Sequence, residues 1–578
     1  MPFGRTEEDP PVPTRGDRHV LVRLVALFLS LAVVATACAT NGDEGDAGPT
    51  QPGGSGGQER AGELVEGGTL VDLQNFAQGN PDHIDPGLSS TIQGSQPGQL
   101  LFDGLTETDY VTGELEPMVA ESWESNEAGD EWTFRLRQGV NWHNGEPVVP
   151  SDFKFAWERV ANPQFASEVA YHLDPILGSD AVAAGEATEL DGVVADDEAM
   201  TLTVRLEYPY SIFPATVSHL VFSPVPRSEV EALADQSQWE RGVMTGNGPF
   251  KMAEPWVDDQ YIKLERNGDY WGGLEGHNAY LDALEFRISA DVDSAYQAFE
   301  AGQGQTGYIP PGRTEEALVK YPQHNATEET LGTYYFAFNM NDPVVGGDEN
   351  LPLRQAMALA IDKQAIVDTV YSGGRQVATG HTPPALPGYE EGLSDIAGAG
   401  APDVERARGL LEEWGGQVTE PIRLNFNAGA GHEPVVQIIQ ANLEEIGIPS
   451  TLDGRDSTTY FSQMRAGEGQ FFRAGWIWDY VAYDNGLYPL FHSESIGGDN
   501  LAQYDNPEYD ELIDTARSTT EEAEANALYR QAETLVLEDV AVVPLNWYTG
   551  QIVYDESVNN FIQSPLQFVA YDQIWLEP

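Results

Sequence analysis

Residues 101–160 read LFDGLTETDYVTGELEPMVAESWESNEAGDEWTFRLRQGVNWHNGEPVVPSDFKFAWERV. Within this stretch the hydrophobic period changes from that of a strand to that of a helix. EWTFRLRQGVNW sets Trp132, Phe134 and Leu136 two apart, the spacing that places side chains on one face of a strand. SDFKFAWERV carries apolar residues at helical spacing and opens on Ser151 or Asp152, either of which can cap a helix N-terminus. Gly139 and Gly145 mark the turns between them.

Outward from this block the alternation continues. GGTLVDLQ, from Gly67, reads as a strand. LPLRQAMALAIDKQAIVDTVY (351–371) reads as one amphipathic helix, and PDVERARGLLEEWG, EPVVQIIQANLEEIG and EEAEANALYRQAETLVLED as three more. IRLNFNAG and STLDGRD, lying among them, read as strands, so the second half is expected to form an α/β lobe with a mostly parallel sheet. Gly302, Gly304 and Gly307 fit a dinucleotide-binding spacing, but they follow a helical pattern and run into Pro310 and Pro311. A dinucleotide site needs a strand before and a helix after, so a turn is expected here.

The N-terminus reads as a targeting device. Arg15, Arg18, His19 and Arg23 precede a 14-residue apolar run, Leu24–Ala37, shorter than the span of about 20 residues that crosses a bilayer. Ala35, Thr36 and Ala37 stand before Cys38, the only cysteine, and resemble a bacterial lipobox whose cysteine is lipidated. The expected division is a signal peptide over 1–37 and a lipidated, Gly- and Pro-rich tether over 38–65. The chain beyond the tether is too long for one ordinary core and has no cysteine for a disulfide.

Charge narrows the partners. Acidic residues number 93 against 29 basic ones, a formal charge of −64, and the lysines are Lys154, Lys251, Lys263, Lys320 and Lys363 alone. A phosphate backbone is repelled by such a surface, so nucleic acid is excluded as a partner. Hydrophobic residues at 41% still suffice for packed cores. The histidines after Cys38, among them His143, His172, His219, His381, His432 and His492, show no paired metal-ligand spacing, so neither metal nor cofactor is expected.

The block 101–160, with Leu105, Pro117, Ala120, Glu121, Trp123, Phe134, Arg137, Gly145, Asp152 and Arg159 at family spacing, resembles the diagnostic segment of family 5 extracellular solute-binding proteins, the peptide and nickel receptors of ABC importers. TGNGPFKMAEPWVDDQYIKLERNGDYWG (245–272), RAGWIWDY (473–480) and NPEYDELI (506–513) resemble later blocks of the family. The resemblance implies a two-lobed periplasmic-binding-protein-like α/β fold (type II, cluster C), with an extra domain on the first lobe and a ligand cleft between lobes. Lobe I would comprise 66–104, 226–288 and 549–578, the extra domain 105–225 and lobe II 289–548, with strands crossing near Ile288–Val292 and Val543–Trp547.

RAGWIWDY sets a cation, two indoles and an acid within eight residues. The resemblance to oligopeptide receptors implies that Asp479 binds a peptide α-ammonium and that Trp476 and Arg473 line the cavity. Arg465, one residue off the family spacing, is a second candidate for a peptide carboxylate; Asn247, Asp291 and Tyr171 are further ligand-binding candidates. Tyr483 stands where many peptide receptors have proline, which alters the pocket. The implied protein is a monomeric, lipid-anchored receptor on the extracellular face of the membrane, a non-enzyme handing oligopeptides to an ABC permease. Dipeptides, nickel chelates and oligosaccharides stay open as ligands on the same fold, and a secreted hydrolase as a different class.

Overall fold

The computed structural model describes residues 64–274, 278–429 and 431–577. The expected signal peptide, Cys38, most of the tether and His277 lie outside the described residues. Among those described, no helix is long and apolar enough to cross a membrane.

The 101–160 block builds one four-stranded antiparallel sheet, ordered Ala120–Ser125, Glu131–Leu136, Thr201–Arg205, Val193–Asp196. Trp132, Phe134 and Leu136 point inward while Arg135 points to solvent, as the period of two requires. Helix Pro150–Ala161 covers this sheet with Phe153 and Trp157 fully buried. It starts one residue before the expected caps: Asp152 sits inside the first turn and its carboxylate reaches back to the Val149 N–H at 3.0 Å, while Ser151 bonds Asp197. Near the other end Arg159 grips Asp85, Nη1 to Oδ1 at 2.9 Å, and both side chains are buried.

A second four-stranded sheet is ordered Thr69–Asp72, Ala283–Arg287, Tyr261–Arg266, Phe250–Met252, parallel in its first pairing and antiparallel in the others. Both sheets line one continuous hydrophobic core. The expected extra domain therefore shares its interior with the first lobe.

The second lobe is built on a six-stranded sheet ordered Gln376–Val377, Val542–Thr549, Glu329–Phe338, Phe471–Ile477, Ile422–Asn427, Ser450–Arg455. Strand Glu329–Phe338 is buried over nine of its ten residues because both its faces are covered, which explains the run of aromatic and apolar residues at 334–338. Ile422–Asn427 pairs in parallel with both neighbours, but the other three pairings are antiparallel. The sheet is thus mixed, correcting the expectation of a mostly parallel one. The helix expected over 351–371 is two helices, Leu351–Ala360 and Lys363–Val370. Asp362 divides them by turning its carboxylate onto the Ala365 N–H at 2.9 Å, a cap that competes with continued helix.

Apolar residues through Ala326 pack with the first lobe and those from Leu331 with the second; on the return, Leu545 belongs to the second core and Ile552 to the first. Residues Tyr296, Phe299 and Ile309 pack with Leu73 and Val553, so the outward crossing lies later than Ile288–Val292. The three glycines at 302–307 lead from helix Val292–Glu300 into strand Thr306–Tyr308, the turn context expected.

Removing one partner of a buried ion pair leaves the other charge desolvated, at a cost of about 3–5 kcal/mol. Arg159→Ala should therefore shift the urea unfolding midpoint of the first lobe markedly downward, and Arg159→Lys should not restore it because the two-pronged contact is lost. A midpoint equal to that of the parent would show that this pair does not hold the helix in place.

Candidate functional site

Strand Phe471–Ile477 runs through the six-stranded sheet and delivers Trp478, Asp479 and Tyr480 to its end, where the chain turns into helix Tyr483–Phe491. The turn is tight around one indole. Trp478 is buried and donates from Nε1 to the Ala482 carbonyl at 3.1 Å, and a Cβ on Gly486 would meet its ring at 2.0 Å. Only glycine admits that approach.

Asn485, in the first turn of the helix, organises the residues before it. Its Oδ1 accepts from the Asp479 N–H at 2.8 Å and from Trp476 Nε1 at 3.1 Å, and its Nδ2 donates to Asp479 Oδ2 at 2.9 Å. No lysine or arginine pairs with Asp479 among the described residues. Burial pushes this carboxyl up to about 6, against the lowering effect of the Asn485 bond. Asp479 is thus a partly exposed carboxylate whose side-chain partner is an amide rather than a cation.

The first lobe closes one side of this turn. Tyr210 Oη lies 3.1 Å from Tyr480 Oη and donates to Asp484 Oδ2 at 2.9 Å, and Tyr529 donates to Asp484 Oδ1 at 3.2 Å. Arg517 pairs with Asp484 at 3.2 Å, donates from Nη2 to Tyr208 Oη at 3.0 Å, and its own carbonyl accepts from Ser211. Segment 208–211 of the first lobe is thereby fastened to Tyr480, Asp484 and Arg517 of the second. Beside it, Tyr171 stacks on His172 with centroids 4.2 Å apart, and its phenol feels the Asp479 charge.

On the strand that leads to Asp479, toward its start, Arg473 lies 4.8 Å above the Tyr334 ring, and its Nε is buried without a hydrogen-bond partner among the described residues. Gly475 leaves the room that its neighbours need: a Cβ there would strike the Tyr548 hydroxyl at 2.5 Å. Arg375 joins from another element, 3.9 Å from the Tyr371 ring and 4.5 Å from that of Tyr548. Burial first, then the charges of Arg473 and Arg375, push His432 down to about 3, and its Nδ1 lies 3.1 Å from the hydroxyl of Tyr334, the ring under Arg473. In a chain with 93 acidic residues, neither arginine pairs with a carboxylate among the described residues. Both guanidiniums are instead stacked on tyrosine rings.

The other expected site residues lie elsewhere. Asn247 is fully buried and both ends of its amide are engaged by the Asp103 backbone, at 3.0 and 3.1 Å, so it offers a ligand nothing. Asp291 is the N-cap of helix Val292–Glu300, accepting from the Ser294 N–H and hydroxyl, which hold its carboxyl below the usual range. Arg465 is half-exposed and paired with Asp499 at 3.4 Å. The sequence reading missed Arg375, Asn485, His172 and His219; of these only Arg375 carried a signal, as one of the few cations in an acidic chain. The histidines, read as scattered, do meet: the rings of His172 and His219 stack at 4.3 Å close to Asp479.

Two lobes with separate cores thus bring polar side chains together around Tyr480 and Asp484, the layout of a two-lobed solute-binding fold. A family model of bacterial extracellular solute-binding proteins, family 5, matches residues 114–498, and the chain belongs to that family. The dipeptide-binding protein DppE of Bacillus subtilis is 26% identical over 558 residues, spanning 94% of this chain and 97% of its own. The periplasmic oligopeptide-binding protein OppA of Haemophilus influenzae is 30% identical over 509 residues, 84% of this chain and 90% of its own. The solved structure of Haemophilus influenzae OppA in complex with the peptide RPPGFSPFR superposes with a TM-score of 0.71 over 89% of this chain and all of that one, at 26% identity.

Asp479 should be a stability liability in the absence of a ligand. Its folded carboxyl, near 6, holds a proton more tightly than the ordinary 3.8 of the unfolded chain, so stability falls as pH rises between these values. Asp479→Asn should accordingly melt higher than the parent at pH 8, by no more than about 3 kcal/mol at roughly 1.4 kcal/mol per unit, and equally at pH 4. Identical melting at both pH values would mean that the carboxylate is well solvated.

Proposed function

We propose that the protein is a lipid-anchored receptor that captures peptides between its lobes and delivers them to an ABC permease. The observation that carries this reading is the pairing of an unclaimed carboxylate, Asp479, with two unclaimed guanidiniums, Arg473 and Arg375, on the wall of one receptor. A zwitterionic chain with an ammonium at one end and a carboxylate at the other complements that layout, whereas a neutral sugar does not. Relatives named for dipeptides and oligopeptides support the same class of ligand.

Asp479 and Arg473 are six residues apart on a largely extended segment, so their backbones are separated by at most about 20 Å. A peptide that uses both sites at once is therefore short, up to about six residues. Longer peptides must leave the Arg473 pocket unused or pass beyond it. Closure follows if the ligand contacts both lobes, since a ligand shifts a two-state equilibrium by its differential affinity for the closed form.

Calorimetry with peptides of three to six residues tests the site. N-acetylation should weaken binding to the parent by about 100-fold, matching the roughly 3 kcal/mol of a charge-assisted contact, and should add nothing further in Asp479→Ala. Affinity for free-amine peptides should also fall about tenfold per unit below pH 6, as Asp479 protonates. Equal affinity of the parent for free and acetylated peptides would overturn the assignment.

Anchoring is separable from capture. A Cys38→Ser variant should appear in the medium rather than in the membrane fraction and should bind peptides as the parent does. Retention of that variant with the membrane would contradict a lipid attached at Cys38.

A further inference from the structure

His172 and His219 come from two short turns of the first lobe, Ala170–Leu173 and the residue preceding Leu220–Phe222, while Asp479 comes from the second. Their potential ligand atoms all lie within 4.8 Å of one another. The two imidazole rings are stacked, 29° from parallel, so neither shields the other's edge from a shared neighbour. His172 is 5% exposed and its Nε2 meets no hydrogen-bond partner among the described residues. An unsatisfied buried nitrogen costs about 1–3 kcal/mol, so the fold keeps this edge open at a penalty.

We propose that His172, His219 and Asp479 form a binding site for one divalent transition-metal ion of the zinc, cobalt or nickel type, held across the two lobes. Two imidazole nitrogens and one carboxylate oxygen suit these borderline ions, whereas magnesium and calcium favour all-oxygen cages. A neutral imidazole already has the lone pair that a metal requires. Metal bonds of about 2.0–2.2 Å need ligand atoms closer together than 4.8 Å, so the three side chains would draw inward on binding.

His219 Nδ1 accepts from the Val221 N–H at 3.2 Å. Ligation through Nε2 moves the ring proton to Nδ1 and gives up that one bond, about 1 kcal/mol. The surrounding charge of −64 raises the local concentration of cations and compensates for this. Three protein ligands leave at least one coordination position for water or for a donor atom of a bound solute. The site does not depend on peptide capture, although the two compete for the Asp479 carboxylate.

The test uses the full receptor after chelator treatment, titrated with ZnCl2 by calorimetry in excess Mg2+ to occupy surface carboxylates. One Zn2+ per chain is expected, and Co2+ should give the visible ligand-field absorption of a nitrogen-ligated site. His219→Gln should weaken Zn2+ by more than the roughly 10–100-fold that loss of an outer-shell partner costs, and Asp479→Asn, nearly the same shape, should weaken it as well. Melting curves in chelator establish that both variants are folded. Heat that Mg2+ abolishes, or Zn2+ affinity unchanged in both variants, would overturn the site. Peptide titration of the chelated parent is a separate measurement, so a failure of peptide capture is told apart from a failure of the metal site.

Discussion

The arrangement of the receptor depends on a buried carboxylate, Asp484, that is shared between lobes. It is 2% exposed, and it is tolerable there because Tyr210 and Tyr529 donate to it and Arg517 pairs with it. Arg517 is in turn enclosed by the rings of Tyr208, Tyr210 and Tyr488, at 4.8, 4.7 and 3.7 Å. Each charge is desolvated, so neither can leave without stranding the other. The pair thus fixes where the first-lobe segment around Tyr208 and Ser211 lies against the turn that carries Asp479. The distance from Asp479 to His172 and His219 is set by that contact.

Around this fixed point the charges divide by purpose. Among the described residues most cations are neutralised by their own neighbours, as Arg159 is by Asp85, Arg266 by Asp282 and Lys320 by Glu300. Arg473 and Arg375 are instead packed on tyrosine rings, and Asp479 on an asparagine. Holding such groups apart from counter-charges costs stability. Large cores in both lobes make that cost bearable.

Much of the local structure was legible because it is written in short-range patterns. The alternation of Trp132, Phe134 and Leu136 and the helices at 404–414, 433–445 and 522–538 follow from hydrophobic period alone. The break at Asp362 was missed because a single capping carboxylate outweighed a helical pattern on either side of it. The mixed pairing of the six-stranded sheet was missed because pairing direction depends on which strands meet, and alternation of elements does not specify that. Asn247 and Asp291 lie within recognisable segments, yet the backbone of Asp103 and the hydroxyl of Ser294 engage them.

By itself the sequence determined the elements, the acidic surface and the family-like motif that holds Arg473, Trp476 and Asp479, since each depends on residues close along the chain. The tertiary structure alone decided that Arg375 faces Tyr548 near Arg473, that Asn485 holds Asp479, and that His172 and His219 stack beside the same carboxylate. Those groups are separated by up to hundreds of residues and belong to different lobes. Their meeting is set by how two cores pack and by the Asp484 pair between them, and no local pattern records it.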